Sequence, residues 1–328
     1  MTIGYKISPF HLAIFIGGLL SVGFGPPVLG QSPASQPSES ALINHALDQR
    51  ISIKMDGDLP TALKAISDKT GLIFEPDPVV WTLLPWGEQT TVTADIQNAT
   101  VRQALDAIGR RLGLEFVASD HSVLLEPIGA LRRLARRATV DELAALNLLA
   151  STPVEITQAN PTLGDVLSDI DHQLQKAAPA YSVEDRSINA RGKNDPRVSV
   201  PRGATMIAAL DAIDNQTSVT WYPWGHTIVA LTRRDMVQYL LGRTVWIRFD
   251  GVDVGQALTE LADRGGIAFS FEPGCLAAVP TKLRTINLSV EDATIRQCLE
   301  SICGLTGLGY EIRDDGVHIA YHGPTTRP

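Results

Sequence analysis

The chain has 328 residues, of which 44% are hydrophobic and 20% are charged, so it can bury one large core or several small ones, and disorder is excluded. Its net charge of −8 argues against a nucleic-acid partner, because phosphate binding needs a basic face. Three cysteines are too few for a disulfide scaffold, and the absence of CxxC or paired Cys/His spacings disfavours redox and zinc-finger proteins.

Residues 1–30 have the pattern of a secretory signal peptide, in which Lys6 precedes an apolar stretch. That stretch, 10–24, is shorter than the roughly twenty residues of a membrane span. We expect cleavage near Gly30 and a periplasmic or otherwise extracytoplasmic protein, with an uncleaved anchor as the alternative. Residues 31–50 are predicted to be a flexible linker and lead-in, because QSPASQPSES is rich in Ser, Pro and Gln.

An internal repeat organises the rest of the chain. The segment 99–116, ATVRQALDAIGRRLGLEF, returns at 293–310 as ATIRQCLESICGLTGLGY, with eight of eighteen positions identical. A weaker copy, ATMIAALDAIDNQTSVTW, occupies 204–221. The sequence therefore predicts three copies of one unit.

Each copy has the same order of hydrophobic periods. In the first copy, Ile51, Ile53 and Met55 alternate as in a strand, and a helical period follows from Leu59. Later strands, a second helix and a closing hairpin give the order β-α-β-β-α-β-β. The predicted fold class is α+β, with three tandem small domains. The predicted boundaries are domains at 51–128, 153–232 and 244–323, linking helices at 129–152 and 233–243, and a tail at 324–328.

The second copy is the least regular. Its outer strands are predicted from the pairs Val154/Ile156 and Val198/Val200, which alternate over a short distance.

Threonines mark the start of the second helix in every copy. Thr100, Thr205 and Thr294 each precede the first apolar helical residue, where a side-chain oxygen can accept an unpaired amide hydrogen. Gln103 and Gln297 complete a capping box in two copies. Leucines at the same distance from these caps are predicted to be equivalent core residues: Leu105, Leu210 and Leu299.

The run VTADIQNATVRQALDAI at 92–108, followed by GLEF and a hairpin, resembles the short amino-terminal domain of secretins and TonB-dependent receptors. The resemblance covers all three copies and is weakest in the first half of the second. It implies periplasmic domains that contact proteins at the entrance of outer-membrane channels or receptor barrels. Since only a short tail follows the third copy, we expect an array of interaction domains without a channel.

These features favour a non-enzymatic exported envelope protein that acts as an interaction or scaffold module. The expected partners are envelope proteins, including a secretin or another outer-membrane complex, and strand addition at a sheet edge is one binding mode. The alternatives are an accessory of a secretin-dependent export system and an envelope hydrolase with an unrecognised site. No hydrolase, zinc-protease or nucleotide-binding motif is present, and no cofactor is expected. Membrane association and oligomeric state stay open.

A tryptophan loop is the first candidate binding site. In PVVWTLLPWG, Trp81 and Trp86 fall outside the periodic core pattern and accompany Leu83 and Leu84. Clustered aromatic residues on loops are often partner-binding anchors. The equal alternative is a satellite cluster that covers its own domain.

A basic strip is the second candidate. Arg132, Arg133, Arg136 and Arg137 in ALRRLARRA have the spacing of one helix face, which is suited to an anionic membrane or an acidic partner. A simply solvated face is the alternative.

The remaining reactive residues are assigned structural roles. Cys298 occupies a small-residue helix position, and Cys275 is able to form a disulfide with Cys298 or with Cys303 in an oxidising compartment. His318 and His322 are too far apart along a strand to share one metal ion.

Overall fold

The computed structural model describes residues 39–191 and 195–323. The predicted signal peptide, the linker up to residue 38 and the tail at 324–328 lie outside these residues. The lead-in that we placed before the first domain contains a helix, α1 (Glu39–Asp48), which buries Ile43 and Leu47. Mixed helices and small sheets follow, so the predicted α+β class is confirmed.

We call the three copies repeats one, two and three. Repeat one contains two small sheets, two amphipathic helices and one short helix. β1 pairs antiparallel with β3, while β5 lies between a parallel β2 and an antiparallel β4. In β1, Ile53 and Met55 are buried and their neighbours are exposed, as the alternating sequence predicts. The elements are β1 (Arg50–Asp58), α2 (Leu59–Thr70), β2 (Phe74–Pro76), α3 (Pro78–Leu83), β3 (Thr91–Thr100), α4 (Val101–Leu112), β4 (Leu114–Ala118) and β5 (Val123–Pro127).

The segment after repeat one holds two helices where we predicted one. α5 (Gly129–Arg132) is a single turn, and α6 (Val140–Ser151) begins at a capping box between Thr139 and Glu142. The residues between them are irregular, and Ala135 has φ 48°. A left-handed backbone conformation at a non-glycine residue breaks helical continuity.

Repeat two retains the three-stranded sheet, in which β8 lies between a parallel β6 and an antiparallel β7. Its elements are α7 (Leu163–Ala177), β6 (Ser182–Asp185), α8 (Ile188–Arg191), α9 (Met206–Gln216), β7 (Val219–Trp224) and β8 (Thr227–Thr232).

The outer strands predicted in repeat two are wrong. Among the described residues, Val154/Ile156 and Val198/Val200 lie in extended segments joined only by isolated bridges, Pro153 to Thr205 and Thr162 to Arg197. Proline has no amide hydrogen to donate to a ladder. The prolines of the two segments are Pro153, Pro161, Pro196 and Pro201.

Helix α10 (Arg233–Leu241) leads into repeat three, which has the same element order as repeat one. β9 pairs antiparallel with β11, and β13 lies between a parallel β10 and an antiparallel β12. The elements are β9 (Thr244–Asp253), α11 (Val254–Gly265), β10 (Phe269–Phe271), α12 (Cys275–Ala278), β11 (Thr285–Thr294), α13 (Ile295–Thr306), β12 (Leu308–Arg313) and β13 (Gly316–Tyr321).

One backbone feature recurs in all three repeats. Asn98, Gly203 and Asp292 have φ values of 49°, 71° and 53°, and each stands two residues before a capping threonine. Asn, Asp and Gly are the residues that best tolerate this left-handed conformation. The full capping box is present at Thr100 and Thr294, as predicted, and Thr205 accepts a hydrogen bond from the amide of Ala208.

Buried side chains form one hydrophobic core across the repeats. Helix α6 packs between α4 of repeat one and α9 of repeat two, and α10 contacts both β8 of repeat two and α13 of repeat three. The linking elements are therefore part of the core.

Candidate functional site

The predicted tryptophan loop is ordered as helix α3 and a 3₁₀ turn at Gly87–Gln89. Asp77 starts the helix by accepting a hydrogen bond from the amide of Val79 at 2.9 Å. Trp81 is partly buried against the core, whereas the side chain of Trp86 is 56% exposed. Leu83 and Leu84 are both buried; Leu84 packs in the core, whereas Leu83 also lines the cleft described below.

The predicted basic strip is also wrong. α5 ends at Arg132, so the four arginines do not share a helix face. Arg132 donates to the carboxylate of Asp77 at 2.8 Å, and Arg137 donates to the carbonyl oxygens of Leu84 and Pro85. Both arginines therefore attach residues 132–137, which we call the arginine segment, to repeat one.

Arg133 reaches across to repeat two. Its guanidinium donates to the carboxylate of Asp214 and to the carbonyl oxygen of Trp221, the latter at 2.8 Å. Asp214 also accepts from Arg233 at the start of α10. Burial lowers the pKa of Arg133, and the negative charges of Asp214 and Asp211 oppose that shift. A shared carboxylate thus joins the segment, repeat two and α10.

Arg136 forms a bidentate pair with Glu142, at 3.0 and 2.6 Å. Glu142 is buried and also accepts from the amides of Thr139 and Gly225. Burial acts to raise the pKa of Glu142, but these hydrogen bonds outweigh it and hold the pKa below its usual value. The ion pair fixes the guanidinium of Arg136 beside repeat two.

A cleft of about 990 Å³ lies between repeats one and three, and we call it the inter-repeat cleft. Its walls are α3, the arginine segment, the start of β9 and the end of α11. Trp246 is 60% exposed on one side, and Val79 is 38% exposed on the other. The larger apolar side chains of the lining are Pro78, Val79, Leu83, Val245, Trp246 and Ile267.

The three arginines that line the cleft are paired within the chain. Arg132 pairs with Asp77, and Arg264 pairs with Glu260 while also donating to the carbonyl oxygen of Trp246 at 2.7 Å. Burial acts to raise the pKa of Asp77, but the amide of Val79 and Arg132 outweigh it, so its pKa is lowered. The cleft is suited to binding an apolar group within a polar rim.

An aromatic cluster stands next to the cleft, made of Tyr222, Trp224 and Tyr239. Tyr222 and Tyr239 are stacked with ring centroids 5.8 Å apart, and Trp224 meets Tyr239 edge-on. The guanidinium carbon of Arg136 lies 4.5 Å from the centre of the Trp224 ring, a cation–π contact. Arg136 also lines the cleft, so it connects the two features.

Trp246 and Trp224 were not predicted as site residues, although the sequence carries a signal for one of them. Val245, Ile247 and Phe249 alternate toward the core, which places Trp246 on the solvent face of β9. Tryptophan is enriched at protein-binding sites, so its place on the exposed face of a strand makes Trp246 a candidate binding residue. Trp224 ends β7 at a turn, where strand periodicity gives no assignment.

The cysteines are all buried and free, so the disulfide considered for Cys275 is not formed. Burial raises the pKa of Cys303 to about 12, which keeps this thiol protonated at neutral pH. His318 lies 3.2 Å from the hydroxyl of Ser270. Within the described ranges, no group of three or more His, Cys, Asp or Glu side chains is arranged to hold a metal ion.

In the part of the chain that is described, no helix combines the length and the apolar character needed to cross a bilayer. Comparison with protein-family models, with curated proteins and with solved structures finds no match to this sequence.

Proposed function

We propose that this chain is a non-enzymatic protein of the cell envelope that binds another envelope protein through the inter-repeat cleft. On this proposal the three repeats are domains of the short amino-terminal type found in secretins and TonB-dependent receptors, exported to the periplasm. The element order of repeats one and three supports the domain type, as does the motif at 92–108. The signal-peptide pattern of residues 1–30 supports export.

The exposed indole of Trp246 is the observation that carries the proposal. Tryptophan is enriched among residues that dominate protein-binding energy, particularly where its surroundings exclude water. Here the ring stands at the edge of an apolar cleft whose arginines are already paired. The proposed occupant is a polypeptide segment of the partner that places an apolar side chain beside Trp246.

The cleft is also preformed, which favours binding. Arg132 fixes the arginine segment to repeat one, and the pairs of Asp214 with Arg133 and Arg233 fix it to repeat two and α10. A wall that is ordered before binding loses less conformational entropy when a partner arrives.

Site-specific photo-crosslinking in the native host tests this proposal. A photoreactive phenylalanine analogue replaces Trp246 in one strain and Trp86 in a matched control, since both tryptophans are exposed but only Trp246 lines the cleft. We expect a discrete crosslinked envelope protein with the probe at 246 and a much weaker one with the probe at 86. Equal crosslinking at both positions, or none at 246, would contradict the proposal.

The identity of the crosslinked protein separates two forms of the proposal. A secretin in the adduct supports the role of an accessory of secretin-dependent export, which the family resemblance favours. A different envelope protein supports a general scaffold role.

A further inference from the structure

Repeat two contains a cavity of about 910 Å³ where repeats one and three contain a ladder, and we call it the repeat-two slot. Two extended segments, 154–160 and 197–203, line it, and we call them the open segments. They meet at both ends, where the amides of Val154 and Val198 each donate to a carbonyl oxygen on the other side, at 2.9 and 3.0 Å. The slot shares no lining residue with the inter-repeat cleft.

The backbone edges that face the slot are unpaired. Successive residues of an extended chain direct their amide and carbonyl groups to opposite edges. Glu155 and Ser199 follow the residues that join the segments, so they face outward, and two helical glutamines each exchange two hydrogen bonds with their backbone. Ile156 and Val200 therefore face inward. Within the described ranges, neither their amides nor their carbonyl oxygens have a hydrogen-bond partner in the chain.

The slot also leaves part of the core uncovered. Ile53 of repeat one and Ile247 of repeat three lie in ladders and are buried. Their counterpart Ile156 and, on the facing segment, Val200 pack against the core but are only partly buried. An extended chain inserted here would pair the free backbone groups and cover these two side chains.

We propose that the repeat-two slot binds an extended segment of a partner protein as an inserted β-strand. In strand addition, main-chain hydrogen bonds supply the affinity. The open segments run antiparallel at their bridges, so the inserted strand is antiparallel to one of them and parallel to the other. Each of its amides then donates to one side or the other, which excludes proline. Every second side chain is apolar, because it covers Ile156 and Val200.

The occupant comes from another molecule, because the chain's own segments outside the described residues are unsuitable. Residues 31–38 and 324–328 each contain two prolines, and neither has a proline-free run longer than three residues. Residues 192–194 are only three in number. A strand usually has about five residues. Residues 1–30 are removed by the predicted cleavage.

Peptide binding to the exported chain, residues 31–328, tests the proposal. The probe is a fluorescein-labelled peptide, Lys-Val-Thr-Val-Thr-Val-Lys, and its binding is followed by fluorescence anisotropy. In two control peptides the backbone amides are N-methylated, at the valines in one and at the other residues in the second, so each loses the donors of one edge. We expect saturable binding of the unmethylated peptide. Both methylated peptides should bind at least about tenfold more weakly, because an inserted strand pairs through both edges.

Hydrogen exchange locates the bound peptide. Insertion should slow exchange by at least about tenfold in both open segments, because the peptide supplies acceptors for amides on either side. The strands β1 and β9, which already lie in ladders, should keep their exchange rates.

Matched proline variants connect binding to the inward edge. Val200→Pro removes an inward amide and should weaken binding at least about tenfold. Val140→Pro places the same residue at the first position of α6, where proline is tolerated, and should leave binding unchanged. The methylated peptides are tested on the unaltered protein, so they carry the test if Val200→Pro does not fold.

Absence of binding by the unmethylated peptide would overturn the proposal. Loss of binding with only one methylated peptide, or protection of only one open segment, would also overturn it and would indicate addition at a single edge. Protection of both segments that grows with protein concentration before peptide is added would assign the slot to a second copy of the chain instead. Crosslinking at Trp246 reports a different surface, so the proposed function and this proposal can each fail alone.

Discussion

At the residue scale, the sequence distance from a capping threonine determines which helix residues are buried in the core. Leu105, Leu210 and Leu299 are all buried, as predicted from their common distance to Thr100, Thr205 and Thr294. The cap fixes the first turn of the helix, and the helical period then decides which side chains face the core. Local hydrogen bonding in this way determines the core positions of three separate helices.

Substitution of Leu299 by alanine is expected to lower the free energy of unfolding by about 2 to 5 kcal/mol, because it removes buried methyl groups and leaves a cavity. Leu305→Ala on the same helix is the matched control, since Leu305 is exposed and should change stability by less than about 0.5 kcal/mol. Urea denaturation of both variants measures the difference. Similar losses in the two would show that the core assignment of α13 is incorrect.

A second residue-scale prediction concerns pH. The pKa of Glu142 in the folded chain is below its usual value of 4.5, so the unfolded chain binds a proton there more readily. The stabilisation from Glu142 is therefore complete above about pH 4.5 and is lost as the pH falls through the folded-state pKa. Glu142→Gln should be less stable than the wild type by about 2 kcal/mol at neutral pH, since Arg136 loses its counter-charge. This difference should shrink at about pH 3.5.

Glu184→Gln is the control for this pH dependence. Glu184 pairs with Arg186 at the surface, where solvent screens the interaction, so its effect at neutral pH should be much smaller. Urea titrations at both pH values give the free energies of unfolding. A difference between wild type and Glu142→Gln that does not change with pH would contradict the role of this carboxylate.

The candidate site was only partly predictable from single residues. Arginine spacing alone favoured a helix face in 132–137. Nothing in that spacing revealed the left-handed Ala135 or the carboxylates that bind Arg132, Arg133 and Arg136. Those carboxylates include Asp214, which is distant in sequence. The exposed position of Trp246, in contrast, was derivable from the alternation of its neighbours.

At the element scale, repeats one and three each form a two-stranded antiparallel ladder with bulges. Repeat two instead has two extended segments, 154–160 and 197–203, that form no ladder. The glutamines of nearby helices hold these segments: Gln173 exchanges two hydrogen bonds with the backbone of Glu155, and Gln216 does so with Ser199. In repeats one and three, Lys69 and Arg264 only donate to the strand backbone. Side-chain amides thus replace part of the missing ladder.

Hydrogen exchange should distinguish the open segments from the ladders. We expect peptides covering 154–160 and 197–203 to exchange at least about tenfold faster than those covering β1 and β9, because their amides lack the ladder hydrogen bonds. The folded protein is labelled briefly in deuterated buffer and then digested, and mass spectrometry of its peptides gives the comparison within one sample. Equal protection of the segments and the strands would mean that the ladder of repeat two closes in solution.

The hydrophobic alternation and the prolines together explain why the strand order was predictable for repeats one and three but not for repeat two. Ile51, Ile53 and Met55 alternate over a strand without internal proline, and the pairing follows. Val154 and Ile156 alternate equally well, but flanking prolines remove donors that a ladder requires. Hydrophobic pattern predicts which side faces the core, while pairing depends on the backbone donors.

At the scale of the whole molecule, the three repeats share one core through α6 and α10. Repeats on flexible tethers would unfold independently, but elements packed on both neighbours couple their stabilities. We therefore expect one thermal transition for residues 39–323, with calorimetric and van't Hoff enthalpies that agree. Differential scanning calorimetry decides this, and well-separated transitions would show that the repeats are independent.

Asp214 should control this coupling, because its carboxylate binds both Arg133 in the linking segment and Arg233 at the start of α10. Asp214→Ala leaves two partly buried guanidiniums without their counter-charge, at an expected cost of about 3 kcal/mol. Asp68→Ala removes an exposed partner of Lys64 and should cost less than about 0.5 kcal/mol. If α6 and α10 transmit stability between repeats, Asp214→Ala lowers the melting temperature and broadens or splits the transition. A sharp transition shifted no further than that of Asp68→Ala would instead show that apolar packing alone holds the repeats together.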